Sequence, residues 1–395
     1  MPSQNSCRAV LSEDWQNAGF GIYVHWPFCQ SKCPYCDFNS HVAQYVDQKR
    51  WALAYVRELE RYAALTPGRV VQSIFFGGGT PSLMEPETVD AVISTIRRLW
   101  PQGNDVEITL EANPGSVEAE RFNGYSLAGV NRVSMGFQAL DDRDLAKLGR
   151  LHTVKEAMRA FDIARAHFDG VSFDLIYARQ DQTLKGWETE LTQALGLAVD
   201  HLSLYQLTVE DGTAFGDRYK RGKLRGLPDP DLAADMYELT QSLCEAHGFE
   251  CYEVSNHARE GARSRHNSLY WRYGDYVGVG PGAHGRVTLN GSKFATEAFR
   301  TPGEWIKYAE NGSADSVCDQ LSGPEQAQEY LLMGLRLREG VDLSRFEALN
   351  GYPLKGSKIK ELRDLGLIEK AGDQLLVTSQ GRMLLNAVLD ALLAE

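Results

Sequence analysis

The sequence predicts an α/β fold built on parallel strands and followed by a smaller, mainly helical unit. Three observations carry this expectation. Runs rich in β-branched and aromatic residues alternate with stretches of helical period from residue 21 to about residue 205. Polar and glycine-rich motifs fall at the C-terminal ends of those strand runs, which is where folds of this class hold ligands. After residue 324 the order changes to helix, loop, helix, a short hairpin and a last helix, the sequence of elements of a winged helix.

Taken in order, the strand runs are 21–25, 71–76, 106–110, 132–137, 170–177 and 201–207, chosen for β-branched and aromatic content. The helical stretches between them are 43–65, 86–99, 117–127, 145–168 with a break near Gly149, and 184–197. A strand, a helix and a strand joined by short turns must pair in parallel, and right-handed crossovers then wind six such units into an open barrel or a doubly wound sheet. Beyond Gly212 come a polar connector, a helix over 231–247, and a stretch too dense in glycine and aromatic residues for a core helix. The expected organisation is an N-terminal extension over 1–18, the α/β unit over 19–250, an aromatic and glycine-rich connecting region over 251–322, and the winged-helix-like unit over 323–395.

Composition narrows the function. With 43% hydrophobic and 24% charged residues the chain is globular, not disordered or coiled coil. Lys plus Arg number 41 against 53 Asp plus Glu, a net charge of -12, so phosphate backbones and anionic lipid surfaces repel it and nucleic acid is not an expected partner. There is no apolar run long enough to span a bilayer, and residues 1–14 lack the basic and apolar segments of a secretory signal. The expected location is cytoplasmic. Mixed charge in the winged-helix-like unit favours packing or partner docking over DNA binding.

Seven cysteines is an odd number, and their placement is uneven: Cys29, Cys33 and Cys36 cluster, whereas Cys7, Cys244, Cys251 and Cys318 are scattered. Three thiols within eight residues of a reducing compartment point to metal rather than to disulfides. Their spacing, C-x3-C-x2-C on the loop leaving the first strand, offers three soft donors to a [4Fe–4S] cube and leaves the fourth iron open to a small molecule. The competing assignment is zinc, closed by Asp37, His41 or His25. Gly77-Gly78-Gly79-Thr80-Pro81 ends the second strand, where glycines let backbone approach a ligand closely and offer carbonyls to an ammonium.

These two motifs together resemble the radical S-adenosylmethionine (SAM) superfamily. The resemblance implies a partial (β/α)6 radical SAM barrel, a [4Fe–4S] cluster on Cys29, Cys33 and Cys36, and SAM chelated at the open iron and cleaved to a 5'-deoxyadenosyl radical. More narrowly, the chain from about residue 21 to its end resembles the oxygen-independent coproporphyrinogen III oxidase family. The matching stretches are Tyr23-Val-His-Trp-Pro-Phe-Cys29, Phe76-Gly-Gly-Gly-Thr-Pro-Ser82, Arg132-Val-Ser-Met-Gly-Phe-Gln138, Gly149-Arg150-Leu-His152 and Asp174-Leu-Ile-Tyr177. By that resemblance the SAM contacts fall on Tyr23, Tyr35, Gly78, Gly79, Thr80, Glu111, Gln138, Arg150 and Asp174. Each is chemically suited: carboxylates accept from ribose hydroxyls or an amine, Arg150 pairs with a carboxylate, and Gln138 both donates and accepts.

Three departures bear on function. Where the oxidase branch carries a further cysteine two residues after the third ligand, this chain has Phe38, and only 28 residues precede Cys29. Both features resemble the HemW-type haem chaperone branch, as does His266-Asn267-Ser268-Leu269-Tyr270-Trp271, which fits that branch's H-N-x-x-Y-W pattern. Ala178-Arg179-Gln180-Asp181 departs from both branches, which are expected to carry a Gly-Leu-Pro-Gly-like turn there. The resemblance implies haem as cargo, an apo-haemoprotein client such as a membrane-bound respiratory cytochrome, and no assigned catalytic side chain; it is compatible with a homodimer. His266 is the candidate axial ligand, with Cys251 and His257 as weaker ones. Tyr270, Trp271 and Tyr273 offer flat apolar surface, and Arg263, Arg265 and Arg272 are candidate propionate partners.

Overall fold

The computed structural model describes residues 13–117, 119–197 and 200–394. Cys7 and most of the N-terminal extension lie outside the described residues. The alternation read from the sequence forms β1 (Phe20–Trp26), α1 (Gln48–Leu65), β2 (Val71–Gly78), α2 (Pro86–Leu99), β3 (Gln102–Ala112), α3 (Ala119–Ala128), β4 (Arg132–Gln138), α4 (Val154–His167), β5 (Gly170–Tyr177), α5 (Leu184–Leu197) and β6 (His201–Gln206). These six strands pair in parallel in chain order, the arrangement of a radical SAM partial barrel. One large apolar core lies between the sheet and its helices; Ile22, Val24, Ile74, Phe76, Leu110 and Val133 are fully buried in it.

Boundaries move where caps and turns decide. The first helix begins at Gln48, not at residue 43, because the Asp47 carboxylate accepts from the Arg50 amide at 3.2 Å and fixes the start. The break expected near Gly149 is real: a short helix Asp142–Lys147 ends there, Gly149 takes a φ of +70°, and a Thr153/Glu156 capping box opens α4.

The stretch over 251–322, expected as a connecting region, continues the main sheet. It carries α6 (Arg265–Trp271), β7 (Asp275–Val279), β8 (His284–Leu289), β9 (Ser292–Ala298) and β10 (Asp315–Gln320). Strand β7 pairs in parallel with the free edge of β1, and β8 to β10 follow antiparallel; with Asn256–Ala258 and Glu250–Cys251 added antiparallel beyond β6 at the other edge, the described sheet has twelve strands. A buried ion group fastens this extension: Asp275 receives Arg69 at 2.5 Å and stands 3.3 Å from Lys293, whose ammonium also lies 3.7 Å from the Tyr273 ring centre. The C-terminal unit is winged-helix-like: helices Gly323–Gly334, Leu343–Asn350 and Gly356–Asp364, a hairpin of Ile368–Ala371 with Gln374–Val377, and its own apolar core. The last helix is broken at Leu384, leaving Ser379–Met383 and α7 (Leu385–Leu393).

The departure at Ala178-Arg179-Gln180-Asp181 has a structural account. Ala178 and Asp181 adopt φ values of 56° and 61°, the left-handed region that glycine enters freely and other residues enter at a cost. Arg179 holds the loop against that cost. Only 3% exposed, it pairs with Asp144 at 2.8 Å and Glu190 at 2.6 Å and donates to the Ile176 carbonyl. Arg179→Met leaves two largely buried carboxylates without their partner and is expected to lower unfolding free energy by about 3 kcal/mol. Denaturant titration checks this, and a loss below about 1 kcal/mol would mean that the loop is held by other contacts.

Candidate functional site

The site starts from one close approach between strand ends. Leaving β1, the chain crosses the end of β2, where the Gly79 amide donates to the Trp26 carbonyl at 2.7 Å and the Thr80 amide to the Phe28 carbonyl at 2.9 Å. A Cβ at Gly79 would stand 2.7 Å from the Phe28 carbonyl oxygen, and one at Gly78, whose φ is +108°, would stand 2.5 Å from the His25 ring. Only glycine fits at either position. The seat places the cysteine loop beside the glycine run.

The loop is tied at both ends. Residues 28–29 pair in parallel with 41–42, so Cys29 leaves and residue 41 returns side by side. His25, held neutral because burial lowers its pKa to about 4, accepts from the Tyr23 hydroxyl at Nδ1 (3.0 Å). Its Nε2–H donates to the Asn39 carbonyl at 2.9 Å. The Asn39 amide group donates in turn to the carbonyls of Pro281 and Arg300, both at 2.8 Å. These last bonds reach some 250 residues along the chain, and no local pattern announces them.

Cys29, Cys33 and Cys36 are half-buried around a cavity of about 150 Å³. Thr80 donates to the Cys29 sulfur at 3.4 Å, Arg150 to the Cys33 sulfur at 3.4 Å, and the Ser40 hydroxyl lies 4.0 Å from the Cys36 sulfur. Burial pushes the Cys29 and Cys36 thiols up, opposed by bonds from Thr80 and from the Phe38 amide. Among the described residues no three His, Cys, Asp or Glu side chains gather close enough to hold a single ion. The thiols thus border a volume rather than converge on a point, which suits a multi-iron cluster better than the alternative of zinc closed by Asp37, His41 or His25. His25 is also engaged at both ring nitrogens.

Eight of the other sequence-nominated residues line the same cavity: Tyr35, Gly78, Gly79, Thr80, Glu111, Gln138, Arg150 and Asp174. Glu111 accepts from the Gly78 amide at 3.2 Å, and its carboxyl is pushed up to about 8 by burial and then by Asp174. Asp174 is raised to about 6 by burial, against hydrogen bonds from Ser203 and Ser134. Arg150 donates to the Gly136 carbonyl at 2.9 Å, and its buried Nε has no partner. That orphaned cationic donor beside the thiols, on the same cavity as the carboxyl groups of Glu111 and Asp174, fits a zwitterionic amino acid such as the methionine end of SAM. Gln138 sits in the left-handed region (φ 72°) at a bulge in β4, and backbone strain of this kind concentrates at binding sites. Ser134 and Asn113, not singled out among the SAM contacts, also line the cavity; both lie in strand-end motifs that the sequence does display.

Tyr23 and His266 are elsewhere. Tyr23 is inside the barrel, its hydroxyl engaged by His25. His266, 7% exposed, bonds Ser73 through Nδ1 at 3.0 Å and stacks on Phe75 with ring centres 5.0 Å apart. Ser73 lies five residues before Gly78, about 16 Å along the strand, so His266 closes the opposite end of the barrel. Glu107 fixes it there, accepting from the amides of Arg265 and His266 at 3.0 and 3.1 Å at the start of α6. The three nominated arginines have carboxylate partners already: Arg263 with Glu250, Arg265 with Asp105 and Arg272 with Glu339, at 2.6, 2.7 and 2.5 Å. Tyr273 is buried, Trp271 lies under the Arg336 guanidinium, Tyr270 packs edge-on to Trp271 and Tyr276, His257 is buried beside Gln241, and Cys251 donates to the Glu253 carbonyl. None of these residues borders the cysteine cavity.

Opening from that cavity is a cleft of about 950 Å³ between the ends of β5 and β6 and the C-terminal helices. The two share Tyr35, Cys36, Phe38, Glu111, Gln138 and Asp174 as common wall. Ile176, Tyr177, Tyr205, Leu207, Tyr237 and Leu385 give the cleft apolar and aromatic surface, and Arg336 and Arg382 stand on its C-terminal side.

Comparison with known proteins agrees with this geometry. The radical SAM superfamily profile matches residues 23–190, and that of the HemN C-terminal domain matches 321–384. Radical S-adenosyl methionine domain-containing protein 1, mitochondrial, of Bos taurus is 39% identical over 388 residues, covering 95% of this chain and 87% of that protein. Heme chaperone HemW of Escherichia coli (strain K12) is 36% identical over 381 residues, covering 95% and 98%. The structure of coproporphyrinogen III oxidase (HemN) from Escherichia coli superposes with a TM-score of 0.79 over 95% of this chain and 90% of that one; at 21% identity this is a likeness of fold.

Replacing Cys29, Cys33 or Cys36 by Ala is expected to abolish the brown absorbance near about 400 nm of the anaerobically reconstituted protein while leaving its melting temperature within a few degrees. Full iron and sulfide content in any of the three variants would defeat the ligand assignment. For Glu111, a folded pKa of about 8 against 4.5 unfolded means that the folded state binds the proton more tightly, so its contribution to stability is present at low pH and is lost as pH rises from about 4.5 to about 8. In the cluster-free protein, Glu111→Gln should remove that part of the slope and stabilise the fold most at pH 8; parallel pH curves for the two proteins would refute it.

Proposed function

Because this chain belongs to the radical SAM superfamily, in the family that includes HemW and radical SAM domain-containing protein 1, we propose that it is a haem chaperone, binding haem and passing it to an apo-haemoprotein. The observation that carries the reading is the 950 Å³ cleft joined to the cysteine cavity: it is lined by flat apolar side chains and lies within the range of cofactor pockets. The name of the bacterial relatives supports haem as the cargo.

In this reading Cys29, Cys33 and Cys36 hold a [4Fe–4S] cluster, which when bound supplies an open iron and one-electron chemistry. Arg150 orients the carboxylate of SAM, and Glu111 and Asp174 accept from its amine and ribose, with Tyr35, Gly78, Gly79, Thr80 and Gln138 shaping the pocket. Thr80 and Arg150 steady the thiolates they already touch. Phe38, 60% exposed at the common wall, gives the mouth an apolar surface where a cysteine would give a further sulfur donor. No described helix is long and apolar enough to cross a membrane; a cytoplasmic location and a haem-requiring client are part of the proposal.

The second reading is an oxygen-independent coproporphyrinogen III oxidase, favoured by the fold likeness alone. Anaerobic incubation of the reconstituted protein with SAM, a reductant and coproporphyrinogen separates the two, paired with a haem titration followed at the Soret band. We expect saturable haem binding and no protoporphyrinogen; sustained protoporphyrinogen formation would overturn the chaperone reading.

A further inference from the structure

The C-terminal end of the cleft carries an unanswered positive charge. Arg382 lines the cleft, and its Nη1 donates to the Arg336 carbonyl at 3.0 Å; its Nη2 is fully buried and has no hydrogen-bond partner. A buried cationic donor left unpaired costs more than most single contacts return, so such a group signals a missing anion. Arg336, by contrast, is neutralised by Glu253 at 2.9 Å.

A second observation lies beside it. The first turn of α7, residues Leu385, Asn386 and Ala387, also lines the cleft, and no side chain caps this helix. Its orphan amides and positive dipole end therefore stand open toward the cavity, next to the Arg382 guanidinium. Carboxylates gather at the other end, where Glu111 and Asp174 border the cysteine cavity. The cleft thus has apolar and aromatic side chains along its walls, carboxyl groups at the cysteine end and an unpaired cationic donor at the C-terminal end. An apolar plate with acidic side chains along one edge fits only with that edge toward Arg382.

Resting on the haem reading, we propose that Arg382 and the N-terminus of α7 form the carboxylate-binding end of the cleft, which takes the propionates of the tetrapyrrole and directs its opposite edge to the cluster. No sequence motif marks Arg382, because the cleft it lines is completed by residues 206, 237 and 336 as much as by its own helix.

The test uses the full-length, anaerobically reconstituted protein and two probes, haem and haem dimethyl ester, which share the macrocycle and iron and differ in whether the propionates are free anions or neutral methyl esters. The native protein should bind haem about tenfold or more tightly than the ester. Arg382→Leu should weaken haem to the level of the ester and leave the ester's affinity unchanged. Asn386→Asp, on an exposed position where an acidic residue suits a helix start, should weaken haem alone by repulsion, with an unchanged melting temperature. Equal affinities of the native protein for the two probes, or equal losses for both in Arg382→Leu, would overturn the assignment of this end while the haem reading stands. Failure of the native protein to bind either probe would instead sink the haem reading and this inference with it.

Discussion

Everything at the site depends on the close approach of the β1 exit to the glycine end of β2. Main-chain bonds from Gly79 and Thr80 to Trp26 and Phe28 leave no room for a side chain at 78 or 79. The loop carrying Cys29, Cys33 and Cys36 is thereby laid over the rim on which the six parallel strands end. Because parallel strands all deliver their C-termini to one rim, Glu111, Gln138, Arg150 and Asp174 meet the thiols there although up to 145 residues separate them. A single added methyl group at Gly79 acts on this whole assembly, since the neighbour it would strike is backbone.

The same rim sets the electrostatics. Burial raises the proton affinity of both Glu111 and Asp174, Asp174 raises that of Glu111 further, and the orphaned Arg150 nitrogen lies beside the sulfur donors. Such a site is incomplete as protein alone and gains most from a ligand carrying both signs of charge. The cleft beyond it carries charged groups at both ends, the carboxyl groups of Glu111 and Asp174 near the cysteines and Arg336 and Arg382 on its C-terminal side.

The winged-helix-like unit shows how little a fold name says about use. Its own core is separate, yet residues 382 to 387 form a wall of the cleft and Arg336 reaches Glu253 beside the main sheet. Here it forms one wall of a cleft whose other wall is the barrel. The H-N-x-x-Y-W stretch is a comparable case: α6 plugs the far end of the barrel, with His266 bonded to Ser73 and its backbone held by Glu107.

What the sequence determined by itself is what depends on near neighbours. Strand and helix periods gave the six units, C-x3-C-x2-C gave the thiols, and the glycine run gave the facing strand end, because each signal is complete within about ten residues. Tertiary structure decided the rest. It turned the expected connecting region into β7 to β10 by pairing β7 with an edge of β1 some 250 residues away, and it gave Arg263, Arg265 and Arg272 their carboxylates. It put His266 at the opposite end of the barrel from the thiols and left the Nη2 of Arg382 without a hydrogen-bond partner at the cleft. Whether a charge is paired or a histidine is free is a matter of distances in space, and those are fixed only when segments remote in the chain pack against one another.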